Sequence, residues 1–230
     1  MFFINRKKFK IIHTNIIGNA DNRLLDSDYV VFDIETTGLD CKSDKIIQFA
    51  GIKVSNDEII DSIEFFINPE IEIPHFITEI NHISNEDVKD AVSIKQGLEK
   101  IVDFISNNFL IAHNGINFDM NFLNNKLVEN KMRKISNPIL DTMWLSKAIN
   151  INLDKHNLAR LVKYYGINYD ENKAHQALYD SELLLQVWLF LKEDLKKYKI
   201  KTLDQINKKF VELKSNIAVS YTHLTLPTIA

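Results

Sequence analysis

Residues 29–67 read YVVFDIETTGLDCKSDKIIQFAGIKVSNDEIIDSIEFFI, and three runs within that stretch decide the fold class. Tyr29–Ile34 is β-branched and aromatic and stops at Thr36-Thr37-Gly38, as a buried strand ending in a turn does. Lys45–Val54 and Glu58–Ile67 are two further strand-like runs, separated by Ser55-Asn56-Asp57, residues that favour hairpin turns. The three together predict an antiparallel meander.

Beyond the meander, Asn68-Pro69 and Ile73-Pro74 break the pattern, and Ile94, Leu98, Ile101, Val102 and Ile105 then recur at helical spacing. Phe109–Ala112 reads as a strand, Asn117–Asn130 as a helix with Phe118, Phe122, Leu123 and Leu127 inward, and Ile139–Leu140 as a short strand. Thr142–Ile149, His156–Tyr165, Gln176–Lys192 and Leu203–Leu213 read as helices. The expectation is an α/β fold: a mixed sheet of a three-strand antiparallel meander plus two further strands, flanked by helices. Lys-rich sequence at Lys192–Lys201 marks a boundary before the final helix.

The chain has 230 residues, 45% hydrophobic and 26% charged, enough for one good core and a small appendage. A net charge of −3 sets up no field that would attract a polyanion, so nucleic-acid binding would need a local patch or bound metal. Cys41 is the single cysteine, which excludes a disulfide framework or zinc cluster and suits a reducing compartment such as the cytoplasm. No run approaches the roughly 18 apolar residues of a membrane span, and the N-terminal apolar stretches are too broken for a signal sequence.

Three fragments carry carboxylates at places where chemistry can use them. Asp33 and Glu35 sit two apart at the end of the first strand, so strand periodicity points both to one side. Two acids so close in an apolar strand repel unless a cation neutralises them, and hard divalent ions prefer carboxylate oxygens; the plainer alternative is a solvated strand end. Asp119, in HNGINFDMNFL, lies just inside a helix, where an acid also serves the helix dipole. In HQALYD, His175 precedes an apolar helix that carries Asp180 near its start. Five residues apart, the two do not share a helix face, which places His175 on the incoming loop; a surface or capping histidine is the alternative.

Taken together and in order, DIETTG, HNGINFDMNFL and AHQALYD resemble the three motifs of the DEDDh exonucleases, the DnaQ-like family, over roughly Tyr29 to Leu191. The resemblance implies an RNase H-like fold and a 3′→5′ exonuclease. It implies that Asp33, Glu35, Asp119 and Asp180 hold two divalent ions, Mg²⁺ or Mn²⁺, and that His175 is the general base. Such roles suit the chemistry, since paired cations steady the attacking and leaving oxygens and an imidazole titrates near neutrality. By the same resemblance Thr36, Thr37, Gly38 and Leu39 line the terminal nucleotide, Leu39 as a wedge against a base, and His113, Asn114 and Phe118 border its other side. Turn chemistry and core packing are the alternatives for these, with equal weight for Phe118. Gln48 stands where many relatives carry Glu, and Gly115 replaces a common Ala; the five catalytic positions are intact. His75, His82 and His156 show no carboxylate partner and read as structural or exposed.

EINHISNEDVKDA, NPILDTMWLSKAI and HNLARLVKYYGI are most similar to the proofreading exonuclease inserted in PolC-type DNA polymerase III. The implied layout is a lead-in over 1–28, the exonuclease domain over 29–195 and a helical extension over 196–218. Residues 219–230, with VSYTHLTLPT, break from the Asn, Ile and Lys-rich character of the chain and resemble translated adapter sequence, hence a non-native tail; a disordered natural tail is the alternative. The expected substrate is a single-stranded or frayed 3′ end of DNA, and the expected partners are polymerase domains of the same longer chain or a replicative polymerase, with no membrane. A stand-alone DnaQ-like DNA or RNA exonuclease, and a non-catalytic nucleic-acid-binding module, are the competing readings.

Overall fold

A computed structural model describes residues 12–13, 28–150, 152–202 and 205–206. In chain order the elements are β1 (Ile12–His13), β2 (Tyr29–Thr36), β3 (Ile46–Ser55), β4 (Glu58–Asn68), α1 (His75–Asn81), α2 (Asn85–Val88), β5 (Val92–Ser93) and α3 (Ile94–Ile105). They continue with β6 (Phe109–Ala112), α4 (Asp119–Glu129), β7 (Ile139–Asp141), α5 (Thr142–Ile149), α6 (Leu158–Tyr164) and α7 (Ala177–Lys197).

The meander forms because each of its parts is locally consistent. Asn56 and Asp57 take left-handed backbone at φ 51° and 62°, the geometry that matches a two-residue hairpin to strand twist. β2 pairs antiparallel with β3, and β3 with β4. On its other side β2 pairs parallel with β6, and β6 with β7, through helical crossovers. The sheet order is β1-β7-β6-β2-β3-β4-β5, the mixed α/β architecture expected, with all five anticipated strands present. Two strands of two residues each flank them: β5 on β4, and β1, from the 1–28 lead-in, antiparallel on β7.

Alternation along β2 splits the core in two. Tyr29 and Val31 face Trp188, Leu184 and Leu191 of α7, with α5 and α6 beside it. Val30, Phe32 and Ile34 face Leu98 and Ile101 of α3 and Phe122 and Leu123 of α4. The period of two then fixes where the acids go. Asp33 and Glu35 share the α7 side with Tyr29 and Val31, at the end of the strand where α7 begins.

Several boundaries differ from expectation for physical reasons. β2 runs on to Thr36, so Glu35 lies within the strand. On α3 Val102 is 38% exposed while Phe104 is buried, because the inward stripe of that helix falls on Leu98, Ile101 and Ile105 with Phe104 beside them. α7 passes straight through the expected boundary at Lys192 to Lys197, because Leu191 and Leu195 continue its apolar stripe and Lys192 is itself buried on Asp57. α1, unread in the sequence, places His75 four residues from Glu79, at 3.4 Å, which gives that histidine a carboxylate neighbour. His156 lies 2.9 Å from Ser146 Oγ, and His82 ends α1 in left-handed backbone. The expected Leu203–Leu213 helix and the 219–230 tail lie outside the described residues, apart from Gln205 and Ile206.

Candidate active site

β2, α4 and α7 converge at one end of the sheet and bring four acids and a histidine together. Glu35, His175 and Asp180 each offer a ligand atom within 4.8 Å of the others. Asp33 and Asp119 adjoin them, close enough that Asp33 feels the charges of Asp119, Glu35 and Asp180. His175 sits in the turn before α7, on the loop as expected, with left-handed backbone at φ 61°. Its backbone N–H donates to Asp180 Oδ2 at 3.1 Å while its side chain stays exposed. The carboxylate thus fixes the main chain that carries the imidazole.

Burial raises all four acids above their ordinary range, and the charges of neighbouring acids add to the rise at Asp33 and Glu35. Burial, followed by the charges of Asp119, Glu35 and Asp180, raises the Asp33 carboxyl well above its ordinary range. Burial pushes Glu35 up to about 8, against a hydrogen bond from Asn81 that lowers it, with Asp180 and Asp119 adding to the rise. Asp119 rises to about 7 by burial, opposed by backbone N–H donors. Burial also raises Asp180, opposed by the nearby His175. A concentration of unbalanced carboxylates in a low-dielectric corner is what a divalent cation relieves.

Two neighbouring aspartates separate the structural role from the functional one. Asp141, fully buried at the end of β7, accepts from the backbone N–H groups of Asn114, Ile116, Met143 and Trp144 at 3.0–3.2 Å. It caps α5 and ties down the 113–117 loop, and even so burial lifts it to about 6. Asp119, only 2% exposed, leaves Oδ1 without any hydrogen-bond partner. An orphaned carboxylate oxygen on a buried aspartate beside Asp33 fits a metal ligand, since an unsatisfied buried acceptor is otherwise costly.

The residues expected around the nucleotide lie along the rims. Thr36 and Thr37 are buried; Thr37 Oγ1 accepts from Lys45 N–H at 3.0 Å and Thr36 Oγ1 donates to Gly38 carbonyl at 2.6 Å. Gly38 is tight against Asp44, whose carboxylate lies 2.4–2.8 Å from where a Cβ would stand. This turn projects Leu39 outward, 85% exposed. Thr142 Oγ1 donates to Ala112 carbonyl at 3.3 Å, so it accepts from His113 Nδ1–H at 2.9 Å, and burial, which lowers His113 to about 4, keeps that ring neutral. Asn114 has left-handed backbone at φ 61°, and Phe118 packs on Phe122 with ring centroids 4.9 Å apart.

Two participants escaped sequence reasoning, and a third, Gln48, enters it only as a departure from the family pattern. Asn81, 2% exposed, donates to Glu35 Oε2 at 3.4 Å and accepts from Ile83 N–H at 3.1 Å. Gln48 is the strand partner of Glu35 and accepts from Ala177 N–H. Asp141 had a usable signal: an Asp-Thr pair between a strand and an apolar helix is an N-cap pattern. For Asn81 no local pattern existed, and for Gln48 the departure from the family pattern did not reveal its partner.

The chain is 38% identical to the DNA polymerase III PolC-type of Mycoplasma genitalium over 196 residues, 85% of this chain and 14% of that protein. It is 34% identical to the Staphylococcus epidermidis counterpart over 207 residues, 90% of this chain and again 14% of the relative. The chain therefore spans a small part of the length of these relatives. Among solved structures, E. coli exonuclease I in complex with a dT13 oligonucleotide superposes with a TM-score of 0.66 at 18% identity, covering 75% of this chain and 42% of that one, which shows the shared RNase H-like exonuclease fold. The exonuclease family RNase_T matches residues 30–188, a span that contains all five of the clustered residues, and the chain belongs to that family.

Proposed function

We propose that the chain is a metal-dependent 3′→5′ exonuclease that releases nucleoside monophosphates from DNA 3′ ends, and that it serves as the proofreading part of a PolC-type DNA polymerase III. The observation that carries this is the acid corner, with Asp33, Glu35, Asp119 and Asp180 unbalanced and His175 beside them on an exposed turn. Asp33, Glu35, Asp119 and Asp180 would hold two divalent cations, Mg²⁺ or Mn²⁺, whose chemistry is to lower the charge of the reacting phosphate and steady its attacking and leaving oxygens. His175 takes the proton from the attacking water, and its exposure lets it pass that proton to solvent. Asp180 keeps the turn bearing His175 in place through the backbone bond already described. Thr36, Thr37, Gly38 and Leu39 on one rim and His113, Asn114 and Phe118 on the other border the terminal nucleotide. A frayed single strand suits such a cleft because its base faces are open to stacking and apolar contact.

The presence of all five residues favours catalysis over a binding-only module. Similarity to PolC-type relatives supports DNA over RNA as substrate, polymerase domains as partners and the cytoplasm as the working compartment. Among the described residues no helix is long and apolar enough to cross a membrane. A 5′-labelled single-stranded oligonucleotide, incubated with Mg²⁺, should shorten one nucleotide at a time from its 3′ end and stay intact in excess EDTA. Full cleavage in EDTA, or shortening from the 5′ end, would overturn the proposal; equal rates on RNA of the same sequence would remove its DNA preference.

A further inference from the structure

α7 begins with a helix end that its own neighbourhood does not cap. Gln176, at the N-cap position, makes no side-chain cap bond. Ala177 N–H instead donates to Gln48 Oε1 at 3.3 Å, a buried contact between residues 129 apart in sequence. Gln48, 5% exposed, is spoken for on its other side, where Nε2 donates to Glu64 Oε1 of β4 at 3.0 Å. The two bonds fix the amide's orientation. Turned over, it would set its NH₂ against Ala177 N–H and its carbonyl against the Glu64 carboxylate, two repulsive contacts in place of two attractive ones.

Both ends of this link bear on the acid corner. Gln48 lies directly across from Glu35 in the β2–β3 ladder. Ala177 lies between His175 and Asp180 on the turn that delivers them. We infer that Gln48, oriented by Glu64, is a positioning residue that sets the distance between Glu35 on the sheet and the His175–Asp180 turn on α7. This inference rests on the reading of His175 and Asp180 as catalytic. It also accounts for the amide at position 48. A carboxylate there could still accept from Ala177 N–H but could not donate to Glu64, and would face it as a like charge. With a carboxylate at 48 the matching group at 64 would be a donor, the reverse of the pairing here.

The exchange gives a direct test. The variants are Gln48→Glu, Glu64→Gln and the double variant, with Gln48→Met, which removes the acceptor without adding charge, for use if Gln48→Glu does not fold. Three quantities are measured on the purified chain: single-turnover cleavage of a 5′-labelled DNA oligonucleotide, Mn²⁺ binding by electron paramagnetic resonance without substrate, and amide exchange of the segment containing Ala177. Gln48→Glu, or Gln48→Met in its place, should cleave about 10- to 100-fold more slowly, the range that a small misplacement of catalytic groups produces, with weaker Mn²⁺ binding and faster exchange at Ala177. The double variant, which restores one acceptor and one donor with the roles swapped, should return all three to within about threefold of the parent. Parental behaviour of Gln48→Glu, a double variant as impaired as the single one, or slowed cleavage with unchanged exchange would each overturn the inference. Asp33→Ala serves as the control for the reading beneath it: should that variant cleave normally, the catalytic assignment fails, while exchange at Ala177 still reports on Gln48.

Discussion

The two ends of α7 lie over the same face of β2 and carry buried charge in opposite ways. Toward the C-terminal end Lys192, 3% exposed, meets both oxygens of Asp57 at 2.8 and 2.9 Å, and Tyr29 hydroxyl donates to the same aspartate at 3.4 Å. At the N-terminal end Asp33, Glu35, Asp119 and Asp180 gather, and among the described residues none of the four pairs with a lysine or arginine. Folding tolerates the first arrangement because charge and hydrogen bonds close on themselves. The second remains open, and on the proposed function cations would relieve it. A buried charge with its complement is scaffold, and a set of buried charges without one is a site.

The comparison breaks if the open end turns out to hold the fold. Asp33→Ala should reduce cleavage on the order of 10⁴-fold or more, since the cations it would help hold on the proposed function supply several kcal/mol to the transition state. Its melting temperature in EDTA should hold or rise, because one repelling carboxylate is gone. A strongly destabilised variant that still cleaves would make Asp33 part of the scaffold.

His175→Ala probes the exposed member of the cluster. Cleavage should fall by about 10² to 10⁴, the usual share of a positioned proton transfer, while Mn²⁺ binding persists because the four carboxylates remain. Activity within a few-fold of the parent at neutral pH and saturating Mg²⁺ would take His175 out of the mechanism.

The closed end should respond in the opposite sense. Asp57→Ala removes the carboxylate from a buried ammonium and should cost about 2–3 kcal/mol by denaturant titration, below the range for fully buried pairs because the Asp57 side chain is 43% exposed. Cleavage per folded molecule should stay within a few-fold. A variant as stable as the parent and catalytically dead would reverse the assignment of the two ends.

The smallest effect sharpens the contrast through pH. With Glu35 near 8 and Asp119 near 7 in the folded chain, both well above their unfolded values, the native state binds more protons than the unfolded state across this range. That contribution is therefore favourable at low pH and is lost as pH rises toward 8. His113, lowered to about 4, acts in the opposite direction but only below about 6.5, where an unfolded histidine charges. Between pH 6.5 and 8 the acid corner should dominate. The metal-free melting temperature should fall across that window by roughly 2–4 °C for each kcal/mol lost, and Mg²⁺ should raise it more at pH 8 than at pH 6.5. A Mg²⁺ effect independent of pH would place the cation away from these acids.

Much of the fold was legible because it is written in short-range periodicity. Alternation in Tyr29–Ile34 put Asp33 and Glu35 on one face, and the spacing of Phe122, Leu123 and Leu127 set the inward side of α4. All five members of the cluster were legible through their ordered motifs. What eluded sequence reading is polar and long-range. Nothing local pairs Gln48 with Ala177, Asn81 with Glu35 or Lys192 with Asp57. Lys192 misled for a related reason: a lysine defaults to solvent, and its burial depends on a carboxylate presented by a hairpin far away in sequence.

The bond from Gln48 to Ala177 also bears on when the molecule acquires its chemistry. It joins the second long strand to α7, and a contact between residues so far apart in sequence closes late in folding by the logic of loop entropy. During synthesis the segment carrying Asp33 and Glu35 emerges first, and the turn carrying His175 and Asp180 emerges last. A partly made chain that lacks this turn thus holds three of the five clustered residues, and on the proposed function it would be inactive. On the proposed function, the timing of nuclease activity would then be a property of the topology.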